Sequence, residues 1–383
     1  MNILFVGTIF DSKHNTITGQ TVVSDIVLEN LCKSNKIIRI NTADSGKYQR
    51  GSFSFTVYRI SQFIGIFLKL LYILLTKKVD RVYYQPATSK MGIARDYIAM
   101  HIIRLFSKPI ILHLLGYITL DTLRNYGSTT WRRFSYVYNK SSKIIVEGEK
   151  MKSEFDCFDD YLNKIVVIPN GMNIGLNKEQ PIKRYNNKVP FKLLYLSNFI
   201  YSKGYFDVLR ALNILVNERH LNVECNFAGK FYSTLDSVDN DTIFGTEEAF
   251  KSYISNHKLN KRVKYQQGLF GDDKRQAFET ANAFLLPTFY SAEGQPMSII
   301  EAMYYGCVPI VTNQGHIPMM VNNHNGCIVE SRNPKSIADA VERLMSDNKT
   351  YSLKSKISME DFHNKFRGDV FGKKLRNVLL NNL

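Results

Sequence analysis

The sequence lacks most features that would set it apart from ordinary globular proteins. Its five cysteines (Cys32, Cys157, Cys225, Cys307, Cys327) are odd in number, scattered, and without CxxC or Cys/His ligand spacing. That argues against a disulfide framework and a zinc site, and for a reducing, cytoplasmic compartment. No stretch is Pro-rich, Gly-rich or compositionally simple, and no solenoid or propeller period repeats. Long hydrophobic runs are missing as well. The longest, Phe63 to Leu75, is broken by Lys69 and falls short of the ~20 residues a spanning helix needs. The first residues, Met1 to Gly7, show no basic leader and too short an apolar core for a signal peptide, and read as a first β-strand. Acidic residues are under-represented: 34 Asp+Glu stand against 50 Lys+Arg, a net charge of +16. The deficit is concentrated in residues 1–140, which hold 19 basic and 7 acidic side chains. An anionic partner follows from that half: nucleic acid, a phosphorylated ligand or an anionic membrane face. A basic surface kept for solubility is the alternative.

What is present is an α/β pattern. A length of 383 residues fits two domains at about one per 150, and 44% hydrophobic with 22% charged residues excludes wholesale disorder. Strands are expected at Asn2–Gly7, Lys36–Ile40, Asp80–Gln85, Pro109–Leu114, Lys143–Glu147 and Lys164–Pro169, with helices near 20–32, 58–75, 91–106 and 130–140. Almost continuous apolar strands such as Ile110-Ile111-Leu112 imply burial on both faces, hence a parallel sheet between helices. Residues 171–190 are polar, turn-forming and without periodicity, and mark a boundary. Alternation resumes with strands at Lys192–Ser197, Val223–Ala228, Val263–Gln267, Ala283–Pro287 and Val308–Thr312, and helices near 205–218, 272–281, 296–305 and 334–346. The expected architecture is two Rossmann-like domains facing across a cleft, residues 1–180 and 185–365. A helical C-terminal segment, 366–383, is expected to return to the first domain.

Three stretches carry chemistry. In Ser291-Ala292-Glu293-Gly294-Gln295-Pro296-Met297-Ser298-Ile299-Ile300-Glu301, Pro296 suits a first helical position. Glu293 then lies on the loop after a strand, and Glu301 roughly a turn and a half into the helix. The helix N-terminus suits a phosphate, while the two carboxylates suit sugar or ribose hydroxyls. Ordinary surface charge would account for either glutamate alone. In Tyr195 to Gly204, a strand and a loop with Lys203-Gly204 precede a helix, an arrangement that could face a diphosphate; a solvent-facing lysine is the plain alternative. The first βα turn, Gly7 through Gly19 to Thr21, is neither GxGxxG nor Walker A, though Gly19 could admit close approach of an anion.

Taken in order, these stretches resemble the C-terminal domain of glycosyltransferase family 4, retaining enzymes of GT-B fold. Glu293 and Glu301 match the family's EX7E signature, and Lys203-Gly204 its loop after the first strand of that domain. Val263–Leu269 resembles the strand and glycine beside the nucleotide base. Thr312–Pro318 resembles the loop after the signature helix, and Asn325-Gly326 the hairpin beyond. The resemblance is dense over 190–346 and looser over 1–170. It implies that Lys203 binds the donor diphosphate, Glu301 the ribose hydroxyls and Glu293 the transferred sugar. Gln295, Pro296, Met297 and Ser298 would present N–H groups, Gly268 and Leu269 would lie by the base, and Gly19 would approach the diphosphate. The family's arginine before this lysine is Asn198 here, and the acidic residue usual after its Ile-Pro pair is Met319. The N-domain histidine falls at Leu115, so His113 is a candidate substitute for catalysis, against a buried strand histidine.

The resemblance implies a metal-independent retaining hexosyltransferase that needs no cofactor and uses a UDP-sugar more than a GDP-sugar. Its acceptor would be a glycan or a polyprenyl-diphosphate-linked glycan of surface polysaccharide synthesis. The expected setting is the cytoplasm, peripheral on the inner membrane face, with an anionic membrane surface and not nucleic acid as partner. The other readings are a GT-B sugar-nucleotide epimerase or phosphorylase, and a basic nucleic-acid or membrane-binding module.

Overall fold

The computed structural model describes residues 1–10, 19–43, 53–116, 120–158, 160–174, 180–231 and 246–380. The loop residues 11–18 of the first βα turn, Asp159, and residues 381–383 of the C-terminal segment lie outside that set. The chain divides into two compact units, Met1–Asn173 with Gly368–Leu383, and Ile174–Arg367.

The first unit is built on six strands: β1 (Asn2–Gly7), β2 (Lys36–Asn41), β3 (Arg81–Tyr84), β4 (Ile110–His113), β5 (Lys143–Val146) and β6 (Ile165–Val167). They form one parallel sheet in the order β2-β1-β3-β4-β5-β6, so the winding reverses between β1 and β3. Side chains alternate across the sheet. Leu4, Val6, Val82, Tyr84, Leu112 and Ile144 enter a core shared with helices Phe53–Thr76, Lys90–Leu105 and Ser128–Asn139. Ile3, Phe5, Tyr83, Ile111 and His113, on the other face, are equally buried. There Phe371 of helix Gly368–Leu380 packs its ring toward His113, and that helix lies along helix Gly19–Cys32.

Helix Phe53–Thr76 departs from the sequence reading. Apolar side chains stand on nearly all its sides, which by itself would favour enclosure in the core. Instead Ile66, Leu70, Ile73 and Leu74 are buried, while Val57, Ile60, Ile64, Leu68, Leu71, Tyr72 and Leu75 are 38–66% exposed. These two sets occupy opposite faces at helical spacing. The segment Phe55–Thr76 has a mean hydropathy of 1.5, enough by length and composition to cross a membrane. The shorter run seen in the sequence stopped at Ser61 and Gln62, which the helix carries within it. Its inward face is committed to the core of this unit, so the helix lies against the sheet.

The second unit contains β7 (Phe191–Leu196), β8 (Val223–Ala228), β9 (Val263–Gln266), β10 (Ala283–Leu286), β11 (Val308–Val311) and β12 (Cys327–Ile328). Their order, β12-β11-β10-β7-β8-β9, is that of a doubly wound sheet reversing between β7 and β10. The expected hairpin at Asn325-Gly326 is absent: β12 pairs with β11 in parallel, so the chain crosses over before it. Helix Asn348–Asp361 was not expected either. Its buried side includes Ser355 and Ser358 beside Tyr351 and Met359, which erases the apolar periodicity.

Candidate active site

In open α/β sheets, ligands bind beyond the strands' C-terminal ends where the winding reverses. In the second unit that point lies between the loops that follow β7 and β10. The loop after β7 runs through Asn198 into a short 3₁₀ turn, Tyr201–Lys203, closed by Gly204 at φ +78°. A Cβ at Gly204 would lie 2.3 Å from the Pro287 carbonyl oxygen, so only glycine lets the two loops touch. Thr288, next to Pro287, receives a hydrogen bond at its carbonyl from the Thr312 hydroxyl, which ties in the loop after β11. Gly315 on that loop has φ +54°, and a Cβ there would meet the Glu293 carbonyl oxygen at 1.8 Å. Gln314 Nε2 donates to the Tyr290 carbonyl at 3.0 Å. Three loops are thus locked around one point.

At that point stand Lys203 and Glu293. Lys203 Nζ donates to both carboxylate oxygens of Glu293, at 2.7 and 2.6 Å, with the side chains 15% and 6% exposed. The Thr288 hydroxyl donates to Glu293 Oε2 at 2.9 Å. The Tyr290 ring lies under the lysine, its centroid 4.9 Å from Nζ. Neither residue is the solvated surface charge that each could have been on sequence grounds alone. An ion pair this enclosed is worth little net stability, but removing one partner strands the other.

The signature helix is Met297–Tyr304. Pro296 precedes it in extended conformation (φ −66°, ψ 117°) and so occupies the cap, not the first helical position. Gln295 is buried, and Met297 and Ser298 open the first turn half-buried. Glu301 is inside the helix, 13% exposed and ion-paired with Lys274 of helix Gly271–Thr280. Burial raises its carboxyl above the usual range, and the Lys274 charge opposes that shift. Sequence reasoning missed Lys274, Tyr290 and Thr288; nothing in the spacing marks a lysine on a different helix.

The remaining expected residues are spread further. Asn198 is exposed on the loop after β7. Gly268, at φ +127°, and buried Leu269 follow β9, which is separated from β7 by β8. Leu269 helps line a separate cavity of about 530 Å³ along the strands, and neither Lys203 nor Glu293 borders it. In the first unit, Gly19 opens helix Gly19–Cys32, and a Cβ there would meet nothing within 4 Å.

His113 requires a correction. Its side chain is fully buried, with Nδ1 hydrogen-bonded to the Tyr83 hydroxyl and Nε2 unpartnered. It is the buried strand histidine and not a catalytic group open to substrate. Leu115, past the end of β4, lines a cavity instead. Burial pushes the imidazole pKa down to about 3. A depressed value means the folded state keeps the ring neutral while the unfolded chain takes up a proton below pH ~6.5. Stability is therefore complete above that pH and lost as pH falls toward 3. Between pH 7.5 and 5 the loss should be about 2 kcal/mol. Urea unfolding at the two pH values should show a correspondingly smaller loss in His113→Asn; equal losses in both proteins would refute the assignment.

Comparison with known proteins places this geometry. Residues 177–358, within the second unit and including Lys203, Glu293 and Glu301, match the family model described as glycosyl transferases group 1. The capsular polysaccharide biosynthesis glycosyltransferase CapM of Staphylococcus aureus is 25% identical over 229 residues, 56% of this chain and 55% of CapM. CapH of the same organism, also a capsular polysaccharide biosynthesis glycosyltransferase, is 28% identical over 175 residues, 45% of this chain and 43% of CapH. The chain thus spans about half the length of the curated relatives it matches. Anabaena Alr3699/HepE, solved in complex with UDP, aligns over 99% of both chains with a TM-score of 0.73 at 16% identity. That likeness is one of fold: a two-unit α/β protein of GT-B type.

Proposed function

We propose that the protein is a nucleotide-sugar glycosyltransferase that retains anomeric configuration, works without a metal, and builds a surface polysaccharide. The observation that carries the reading is the Lys203–Glu293 pair at the reversal point of the second sheet, beside the N-terminus of the signature helix. A departing diphosphate needs fixed positive charge and N–H donors, and a lysine with a helix N-terminus supplies both. In the structure Glu293 holds that lysine. A donor's phosphate oxygens would take over the Nζ protons, leaving the Glu293 carboxylate to face the transferred sugar. Glu301 would accept hydrogen bonds from the ribose hydroxyls. The UDP and UDP-glucose complexes of Alr3699/HepE favour uridine as the base, and the two capsular relatives favour a glycan acceptor, lipid-linked or free. A lipid-linked acceptor fits a cytoplasmic protein held on an anionic membrane face.

The test is a thermal-shift screen of nucleotides followed by mass spectrometry of products. UDP at 100 times its Kd should stabilise the protein by about 2.7 kcal/mol. An oligonucleotide should shift it less, and sugar transfer should survive EDTA. A larger shift with the oligonucleotide would favour the nucleic-acid reading; loss of transfer in EDTA would remove the metal-free mechanism.

A further inference from the structure

A cavity of about 740 Å³ lies in the first unit, at the reversal between β1 and β3. Its wall includes Thr8 after β1, Thr42 after β2 and Gln85–Lys90 after β3, with Arg59 and Arg95 from two helices. Among the described residues that line it, none is Asp or Glu. Arg95 is buried and locked by Nε and Nη2 onto Asp96 Oδ1, at 2.8 and 2.6 Å, while Asp96 Oδ2 receives the Ala87 N–H. That neutral pair fixes the loop from Gln85 to Lys90. Helix Lys90–Leu105 starts from this wall, capped by Ser89, whose hydroxyl accepts the Gly92 N–H. The positive end of the helix and the exposed Lys90 therefore border the cavity.

Gln85 supplies the second observation. It is 6% exposed, and its Oε1 accepts the Thr8 N–H at 3.1 Å and the Ser24 hydroxyl at 2.9 Å. A backbone N–H can only donate, so the amide's orientation is fixed by its neighbour. Its Nε2 is then a buried donor without a partner, on a residue that lines the cavity. Buried donors are seldom left so unless something else supplies the acceptor. A neutral sugar's hydroxyls donate as well as accept, and among the lining side chains hydroxyl and amide oxygens alone could take those protons, with no carboxylate to favour them. With Arg95 neutralised by Asp96, this wall offers Lys90, Arg59, a helix N-terminus and an orphan amide N–H, which suit a ligand that accepts.

We infer that this cavity binds an anionic oxygen group, a phosphate ester or a sugar carboxylate, carried by the acceptor. Assigning the anion to the acceptor rests on the transferase reading; the anion site does not. Gln85 Nε2, Lys90 and the first turn of helix Lys90–Leu105 hold the group.

Calorimetric titration of the full chain tests it with four probes: methyl phosphate, glucose 1-phosphate, glucuronate and methyl glucoside. In Gln85→Glu, a carboxylate oxygen still accepts from Thr8 and Ser24, but the donor becomes a negative charge. Lys90→Glu reverses a charge on an exposed side chain and spares the fold. Both variants should weaken anion binding at least about tenfold, and Lys203→Ala should retain it. Preference for the phosphates or for glucuronate identifies which oxy-acid is read. Three outcomes would each overturn the site: anion binding lost in Lys203→Ala, anion binding unchanged in both Gln85→Glu and Lys90→Glu, or methyl glucoside bound as tightly as the anions. Intact anion binding with no transfer from any nucleotide sugar would sink the transferase reading and leave the site standing. Transfer to a neutral acceptor that is indifferent to Gln85→Glu would keep the transferase reading and overturn the assignment of the anion to the acceptor.

Discussion

Replacing Lys203 with Ala should lower kcat/KM by about 10²–10³, the cost of removing one preorganised electrostatic group from a transition state. The geometry adds a way to tell this effect from simple damage. Lys203 is held on both oxygens of Glu293, so the alanine variant leaves a carboxylate only 6% exposed without its cation. Part of the loss would then be structural. Glu293→Gln separates the two, because it keeps the shape and one oxygen that accepts from Thr288 and Lys203, while removing the competing charge and one of the lysine's two contacts. If the pair is a placeholder for the donor, Glu293→Gln should bind UDP as well as or better than the parent, while kcat falls by about 10²-fold. Steady-state kinetics and UDP titration on the two variants check this. Weaker UDP binding in Glu293→Gln, or full turnover in Lys203→Ala, would show that the pair only braces the loops.

The sequence revealed the α/β alternation because buried parallel strands read as apolar runs, and their ends fell within a residue or two of β1 to β11. It revealed Lys203, Glu293 and Glu301 as candidates because loop and helix placements follow from strand ends. It could not reveal that Lys203 and Glu293 touch. That depends on β7 lying next to β10, a matter of sheet order that pairs loops ninety residues apart. The same limit hid Lys274 behind Glu301, and Gln85 behind Thr8 and Ser24. Between the two readings of His113 a local feature decides: β4 ends at His113, which stays enclosed, and of the two residues Leu115 alone borders the cavity. The two-residue strand β12 is too short to leave any period.

Vesicles rich in anionic lipid should bind the protein at low salt, and Leu68→Asp with Leu75→Asp should reduce that binding by about 10²-fold or more. The surface concerned is the outer face of helix Phe53–Thr76. Leu68 and Leu75 are 64% and 66% exposed there, so changing them leaves the core of the unit alone. Residues 53–79 contain no Asp or Glu, while Lys69, Lys77 and Lys78 are exposed beside the apolar stripe. An apolar stripe edged by basic side chains complements a negatively charged bilayer. Each lysine near such a surface contributes about 1 kcal/mol, and each large apolar side chain about 1.5–3 kcal/mol if fully withdrawn from water. Two aspartates in the stripe oppose both contributions. Raising salt from physiological strength to 1 M shortens the Debye length from about 8 to about 3 Å and should weaken the lysine share while sparing the apolar share. Vesicle sedimentation measures all of this. Equal binding to neutral vesicles would remove the role of charge, and unchanged binding of the double variant would remove the helix. If sedimentation equilibrium showed a dimer that the double variant abolishes, and no vesicle binding, the stripe would belong to a second copy of the chain instead of a membrane.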